Sequence, residues 1–406
     1  MKICFLLWSP DISGGTNVIF EHATRLVDDN NITIVTHEKV CLSRLKWFPG
    51  AEKLTWKTFD EITDEKFDLA IATWWRTVYD LNKITAERYC YFVQSIESKF
   101  YPEEDIILRN LVELTYSLDL CLITEATWIK NYLKFKYNQD AYLIKNGIRK
   151  EYFNTDISPI SPRNDKLRVL VEGPLGVSFK NTELAVELAL QSNADEVWML
   201  TSTEIAAYPK VDRLFSRVPI SKVGEIYSSC DILIKLSTVE GMFGPPLECY
   251  HCGATSITYD VTGYDEYIVD NVNGLVSFSR DNQDIISKIN SLEENRGDLS
   301  DLKVEAIKTA NRWPDWDTSS SEFLSVCCMI NKLDKKQNIQ VISHVAMLSW
   351  RMYEEAIQLT NNPQAKNSVA IRSKTIVYRI AHFIHLRSPR LFSFLRKIKW
   401  TLKSLF

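Results

Sequence analysis

Two glutamates stand eight positions apart on either side of a predicted helix start, and their spacing could position a polar ligand. Glu240 and Glu248 enclose the pair Gly244-Pro245. Proline suits the first helical turn because its missing N–H would have no intrahelical partner there. Amides at the start of that helix would face the preceding loop and attract phosphate. The residues therefore predict an anion-binding turn flanked by two carboxylates.

The chain before this loop explains how the glutamates are positioned. Residues 231–236 form an apolar run that is typical of a buried strand in a parallel sheet. The loop then lies at the carboxyl end of a strand, where open α/β sheets bind their ligands. The alternative is that Glu248 only complements the helix dipole and that Glu240 is a solvated loop residue.

The segment 240–248 reads EGMFGPPLE and resembles the EGFGLPPLE signature of retaining GT-B glycosyltransferases of family four. In that family the first glutamate contacts hydroxyls of the donor sugar and the second contacts the ribose of the nucleotide. The resemblance implies these roles for Glu240 and Glu248. It also implies that the rest of the loop binds the donor, through Ser237, Gly241, Met242, Phe243 and Gly244.

Two glycine-bearing turns match further parts of the same family. Gly14 and Gly15 follow the first predicted strand, where glycine lets a ligand approach the backbone, although a plain tight turn is the alternative. Gly173 and Lys180 resemble the family's diphosphate clamp, but Pro174 replaces the arginine of that clamp. We therefore expect Lys180 to neutralise phosphate with another cation or with helix amides alone. The alternative is a solvated surface lysine.

The first half of the chain contains candidate residues for the acceptor. Residues 89–102 leave a predicted strand and enter an aromatic loop, in which Gln94 and Glu97 are expected to face the interdomain cleft. This segment resembles that of bacterial polysaccharide rhamnosyltransferases, with glutamine where many family members have histidine. Trp74 and Trp75, at another strand end, are candidates to stack on sugar rings, with burial in the core as the alternative.

Alternating apolar strands and helical segments predict an α/β protein. The resemblance implies the GT-B fold, which is two Rossmann-like doubly wound domains facing a cleft. A polar, proline-bearing linker at 158–164 divides an acceptor-side domain (1–160) from a nucleotide-sugar-binding domain (161–330), followed by a helical basic extension (331–406). A helix at 320–330 is expected to cross back to the first domain. The strands are predicted at 2–8, 32–35, 68–72, 89–93, 120–123, 141–144, 166–171, 196–200, 231–236, 255–258 and 275–278.

Composition limits the remaining classes. With 406 residues, 45% hydrophobic and 25% charged, the chain suits a soluble protein of two domains, and no apolar run approaches the ~18 residues of a membrane span. Nine cysteines without framework spacing favour a reducing, cytoplasmic compartment. Cys249 and Cys252 have no second ligand pair after them, so we expect neither a metal nor another cofactor.

Charge is divided unevenly along the chain. Residues 371–406 contain nine Lys or Arg and no Asp or Glu, which leaves 39 basic and 52 acidic side chains in residues 1–370. Leu391, Leu395, Ile398 and Leu402 follow helical spacing among the basic residues, the pattern of an amphipathic helix on an anionic membrane surface. The alternative is a helix docked on the acidic body. We expect no nucleic-acid binding, because the body offers no basic groove.

These features predict a retaining glycosyltransferase that extends a bacterial surface polysaccharide such as an O-antigen. The expected acceptor is a lipid-linked oligosaccharide at the inner face of the cell membrane. The expected donor is dTDP-rhamnose, with GDP-mannose or a UDP-sugar as alternatives. Glu240 and Lys180 are the candidate catalytic residues, because fixed dipoles and a cation must stabilise the leaving phosphate. A sugar-nucleotide epimerase and a non-catalytic scaffold remain open alternatives.

Overall fold

The computed structural model describes residues 1–334 and 337–361. The chain forms two structural units, of which the first, Met1–Ala346, contains both β-sheets. The second unit is described only for residues 347–361, which belong to the last helix. The basic segment 371–406 lies outside the described residues. Within the described part of the chain, no helix has both the length and the apolar character needed to cross a membrane.

Seven parallel strands form the first sheet, in the order β3-β2-β1-β4-β5-β6-β7. β1 pairs with both β2 and β4, so the strand order reverses beside β1. Such a reversal creates a crevice at the carboxyl ends of the strands, where doubly wound sheets bind ligands. The strands are β1 (Lys2–Leu6), β2 (Asn31–Thr36), β3 (Thr55–Thr58), β4 (Lys66–Ala72), β5 (Thr85–Val93), β6 (Cys121–Thr124) and β7 (Ala141–Leu143).

The second sheet repeats this plan with six parallel strands, in the order β10-β9-β8-β11-β12-β13. Here the order reverses between β8 and β11, which pair directly. The sequence prediction of two doubly wound domains is therefore confirmed. The strands are β8 (Arg168–Glu172), β9 (Glu196–Thr201), β10 (Arg213–Ser216), β11 (Ile232–Lys235), β12 (Thr255–Tyr259) and β13 (Leu275–Ser277).

Helices connect and cover the strands. The first of them shows how the sequence sets a helix start: Ser13 Oγ accepts a hydrogen bond from Thr16 N at 3.0 Å and caps the helix that Gly14 begins. The helices are α1 (Gly14–Leu26), α2 (Trp75–Val78), α3 (Ile106–Thr115), α4 (Thr127–Tyr137), α5 (Thr182–Gln191), α6 (Ile220–Tyr227), α7 (Gly244–His251), α8 (Asn282–Glu294), α9 (Arg296–Asn311), α10 (Trp316–Asn331) and α11 (Ile339–Asn361).

Helix α10 returns to the first domain after the second domain is complete. Its side chains Trp316, Phe323 and Cys327 lie in the same hydrophobic core as Ile19 and Phe5 of the first domain. The predicted crossing of a helix at 320–330 is therefore confirmed. The chain passes between the two domains twice, once on the way out and once on the way back.

The two crossings touch each other. Ile148 N on the outward connection donates to Pro314 O on the return connection at 3.1 Å, and Trp313 Nε1 donates to Asn146 O at 2.8 Å. A Cβ atom on Gly147 would lie only 2.3 Å from Trp316 N. Only glycine permits this approach, because any side chain would push the two connections apart.

Candidate active site

The loop with the two glutamates lies where the sequence predicts it, between β11 and α7. Pro245 occupies the first turn of α7, and Phe243 is fully buried before it. The hydroxyl of Tyr267 donates to the carbonyl of Phe243, and Thr262 exchanges two hydrogen bonds with the backbone of Glu240, at 2.8 and 3.0 Å. The loop is therefore held in one shape by contacts along its length.

Glu240 and Lys180 form the central ion pair of the site. Lys180 Nζ lies 2.7 Å from Oε1 and 2.8 Å from Oε2 of Glu240, and the Glu240 side chain is only 10% exposed. Burial opposes ionisation of Glu240, but Lys180 and then Lys235 outweigh it and hold the pKa of Glu240 below its usual value. A charged carboxylate thus faces the cleft beside a charged lysine.

Lys180 is placed by a turn that is tied to the same loop. The turn Ser178–Lys180 follows β8 and Gly173, and the carbonyl of Phe179 accepts from Thr238 N at 2.8 Å. Asn181 Nδ2 donates to Leu236 O at 3.0 Å. The clamp-like turn and the loop of the paired glutamates therefore form one surface at the ends of β8 and β11.

A second lysine, which the sequence analysis missed, lies beneath the ion pair. Lys235 is 4% exposed at the end of β11 and forms an ion pair with Glu172, the last residue of β8. Burial disfavours the charge of Lys235, yet Glu172 and Glu240 outweigh burial and raise the pKa of Lys235. The domain thus supplies a second cation where the resemblance leaves an arginine missing.

Glu248 lies on the first turns of α7, near the same buried charges. Burial, followed by repulsion from Glu172, raises the pKa of Glu248 to about 7, and Lys235 opposes the shift. Near neutral pH this carboxyl group therefore exists in both protonation states. Glu240 and Glu248 thus differ in charge, although the motif treats them as a pair.

The first domain faces this surface through the Gly14-Gly15 turn and Gln94. A Cβ atom on Gly15 would lie 3.3 Å from Nε2 and Oε1 of Gln94, and one on Gly241 would lie 1.9 Å from Gln94 O. Gln94 Oε1 is buried and accepts no hydrogen bond from any described residue. The structure therefore brings Gln94, the glycine pair and the donor-side loop together, as the sequence analysis expects.

Glu125, which the sequence analysis also missed, joins the two domains. Its Oε1 accepts from Met242 N at 2.9 Å and its Oε2 accepts from Asn146 Nδ2 at 2.9 Å. Burial raises the pKa of Glu125 to about 7, against the effect of these two donors. Trp128 Nε1 adds a hydrogen bond to Gly241 O at 2.9 Å. The first domain thus holds the loop directly.

Two acceptor-side expectations need correction. Glu97 is 3% exposed, and its carboxylate accepts from Trp75 N and Tyr91 Oη at 2.8 Å each, so it supports the loop from inside the domain and faces no ligand. Trp75 is fully buried and packs in the core. Trp74 is half-buried, whereas Trp8, which sequence reasoning passed over, is 44% exposed with its ring 5.3 Å from that of Trp74.

The cysteine pair that resembles half a metal site lies in the core. Cys249 and Cys252 are buried among apolar side chains of the second domain. Among residues 1–334 and 337–361, no three His, Cys, Asp or Glu side chains are grouped as a metal site requires.

Comparison with known proteins supports the reading of this site. Residues 208–313 match the family model of Glycosyl transferases group 1. The matched segment contains Glu240 and Glu248, whereas Lys180 and Gly173 precede it. No curated protein matches the chain in sequence.

Solved structures share the fold at low sequence identity. HepE from Anabaena, solved with UDP-glucose, has a TM-score of 0.66 at 15% identity, over 81% of this chain and 100% of that chain. Sucrose-phosphate synthase from Thermosynechococcus elongatus has a TM-score of 0.64 at 13% identity, over 81% and 98%. TarM from S. aureus has 0.64 at 10%, over 80% and 100%. The chain has the GT-B fold. Fold and family match together support a glycosyltransferase that uses a nucleotide sugar.

Proposed function

We propose that the protein is a retaining glycosyltransferase that moves a hexose from a nucleotide sugar to an acceptor bound at the first domain. One observation carries this proposal. The buried Glu240–Lys180 ion pair lies at the strand ends of one domain, while Gly15 and Gln94 of the other domain lie opposite. A carboxylate for sugar hydroxyls and a lysine for phosphate are thereby held on one surface of the cleft.

The reaction breaks the bond between the anomeric carbon and the phosphate oxygen and forms a bond from that carbon to an acceptor oxygen. Negative charge develops on the departing nucleoside diphosphate, which the acceptor proton finally neutralises. Preorganised cations and amides that face this charge are commonly the largest catalytic contribution. Lys180 and the amides at the start of α7 face the phosphate in this proposal, and Lys235 reinforces the positive potential from beneath.

Lys180 must exchange partners during this cycle. Both carboxylate oxygens of Glu240 hold its ammonium group within 2.8 Å. A diphosphate that takes over Lys180 releases Glu240, and the carboxylate then accepts hydrogen bonds from the sugar. Donor binding and orientation of the sugar are thus coupled through one ion pair.

The donor and acceptor extend the proposal. We propose dTDP-rhamnose as donor, with GDP-mannose and UDP-sugars as alternatives, and a lipid-linked oligosaccharide of a bacterial surface polysaccharide as acceptor. Two lysines already face the phosphate, so we propose that no metal ion is needed, and transfer should continue in EDTA. The basic segment 371–406 is proposed to hold the enzyme on the cytoplasmic face of the membrane, at anionic lipids.

A nucleotide panel tests the function. Thermal stabilisation by dTDP, UDP and GDP identifies the base, and incubation of the matching sugar nucleotides with a lipid-linked acceptor reveals the reaction. Transfer supports the proposal, isomerisation of the donor indicates an epimerase, and neither product indicates a scaffold. For the membrane segment, a variant that ends at residue 370 should no longer sediment with anionic liposomes. Equal sedimentation of both chains contradicts the membrane role.

A further inference from the structure

A second cavity lies in the cleft beside the proposed donor site. It measures about 530 Å³ and is lined from the first domain by Asp11, Ser43, Arg44 and Lys46 and from the second by Ser202 and Arg217. Ser202 directly follows β9 and Arg217 directly follows β10. Because β9 adjoins β8, a ligand in this cavity would lie next to a nucleotide sugar bound at β8 and β11. We call this space the basic cavity.

Positive charge distinguishes the basic cavity from the rest of the body. Arg44, Lys46 and Arg217 contribute three cations against the single carboxylate of Asp11, although residues 1–370 carry more acidic than basic side chains overall. Lys46 forms no ion pair with any residue that the structure describes. A concave site lined by one sign of charge concentrates ligands of the opposite sign.

The ion pairs of the cavity are exposed enough to exchange for a ligand. Arg44 binds Asp11 at 2.7 Å with 41% of its side chain exposed, and Arg217 binds Glu204 at 2.7 Å with 51% exposed. Exposed pairs contribute little to stability, so a bound anion can replace them without loss of the fold.

The backbone of Arg217 is an independent indication. Its φ of 53° places a non-glycine residue in the left-handed region, and its N–H donates to Thr201 O at 2.8 Å. This bond fixes Arg217 at the end of β9, where its side chain reaches the cavity. Left-handed residues that neighbouring structure holds in place cluster at binding sites.

We propose that the basic cavity binds an anionic group of the acceptor, a phosphate or a carboxylate, beside the donor sugar. This inference rests on the proposed function and deepens it, because it names the chemistry that selects the acceptor. The donor phosphates are served separately by Lys180 at the ends of β8 and β11. The anion has two sources, a lipid diphosphate linkage or an acidic sugar of the growing chain.

Three short probes separate these sources, each titrated by calorimetry into the protein saturated with its preferred nucleoside diphosphate. They are glucosyl butyl diphosphate, butyl glucuronide and neutral butyl glucoside. We expect one or both anionic probes to bind at least tenfold more tightly than the neutral one. Lys46→Gln and Arg217→Gln should each weaken the anionic probe about tenfold, as loss of one charged hydrogen bond does. Neither should change nucleotide affinity.

Lys39→Gln is the matched control, since Lys39 is an exposed lysine of the same region outside the cavity. Equal affinity for all three probes overturns the inference, and so does an equal loss in Lys39→Gln and Lys46→Gln. A fall in nucleotide affinity in the cavity variants assigns the cavity to the donor and also overturns it. If no nucleoside diphosphate binds the unmodified protein, the proposed function itself fails.

Discussion

The exchange of Lys180 between Glu240 and phosphate predicts opposite effects from two conservative substitutions. Glu240→Gln keeps the shape of the side chain but removes the charge that holds Lys180 at 2.7 and 2.8 Å. The freed lysine should bind the phosphates of a nucleoside diphosphate at least as tightly as before. Lys180→Gln removes the phosphate contact itself and should weaken the same nucleotide.

The magnitude follows from the kind of hydrogen bond that is lost. A hydrogen bond to a charged group contributes about 1.5–3 kcal/mol, so Lys180→Gln should raise the Kd of the nucleotide about 10- to 100-fold. Glu240→Gln should leave that Kd unchanged or lower. It should reduce turnover about 100-fold, as loss of one charged transition-state contact does. Since the pair is only partly exposed, each variant should lose about 1–3 kcal/mol of stability and stay folded at 25 °C.

Calorimetric titration of the nucleotide and initial rates of transfer give the two readouts separately. The matched control is Glu225→Gln, which removes the carboxylate of an exposed surface pair with Lys222 and should change neither quantity. Equal losses of nucleotide affinity in Glu240→Gln and Lys180→Gln would refute the exchange. Near-normal turnover in Glu240→Gln would refute the role of the carboxylate in transfer.

Three further outcomes follow from buried groups. Lys235→Met should destabilise the fold by about 3 kcal/mol in denaturant titration, because Glu172 keeps a buried charge without its partner, and adding Glu172→Leu should restore most of the loss. Burial raises the pKa of Glu97 to about 8, so the folded protein binds more protons than the unfolded one and stability falls as pH rises from about 4.5 to 8; Glu97→Gln should flatten this fall of at most ~1.4 kcal/mol per pH unit. Gly147→Ala should lower the melting temperature through a contact of 2.3 Å, whereas Gly14→Ala, where no atom lies within 4 Å, should not; equal melting temperatures contradict the close-packing argument.

Most strands could be predicted from the sequence because buried parallel strands are continuous apolar runs. Eleven of the thirteen strands were found in this way, and the two that were missed are β3 and β10. Both lie at an edge of their sheet. Their residues are half-buried or exposed, as Thr55 and Arg213 show. An edge strand has one neighbour and less cover, so its sequence lacks the apolar run that identifies an interior strand.

Site residues divide along a similar line. Glu240, Glu248 and Lys180 could be predicted because they follow strand ends at spacings that a local pattern records. Lys235 was missed because it lies inside an apolar run, and its partner Glu172 is 63 residues away. Glu125 contacts Met242 across 117 residues. Charges that are paired only by tertiary structure leave no periodic signal, so the electrostatics of the site could not be derived from the sequence.

The touching interdomain connections give the cleft a single hinge. Two separate linkers would let the domains slide, twist and open independently, whereas strands joined at Ile148 and Asp315 share one axis. Opening about this axis separates Glu125 from Met242 and Trp128 from Gly241 in the same movement. The cleft therefore has one opening coordinate, and release of product and entry of donor are governed by a single equilibrium between two angles.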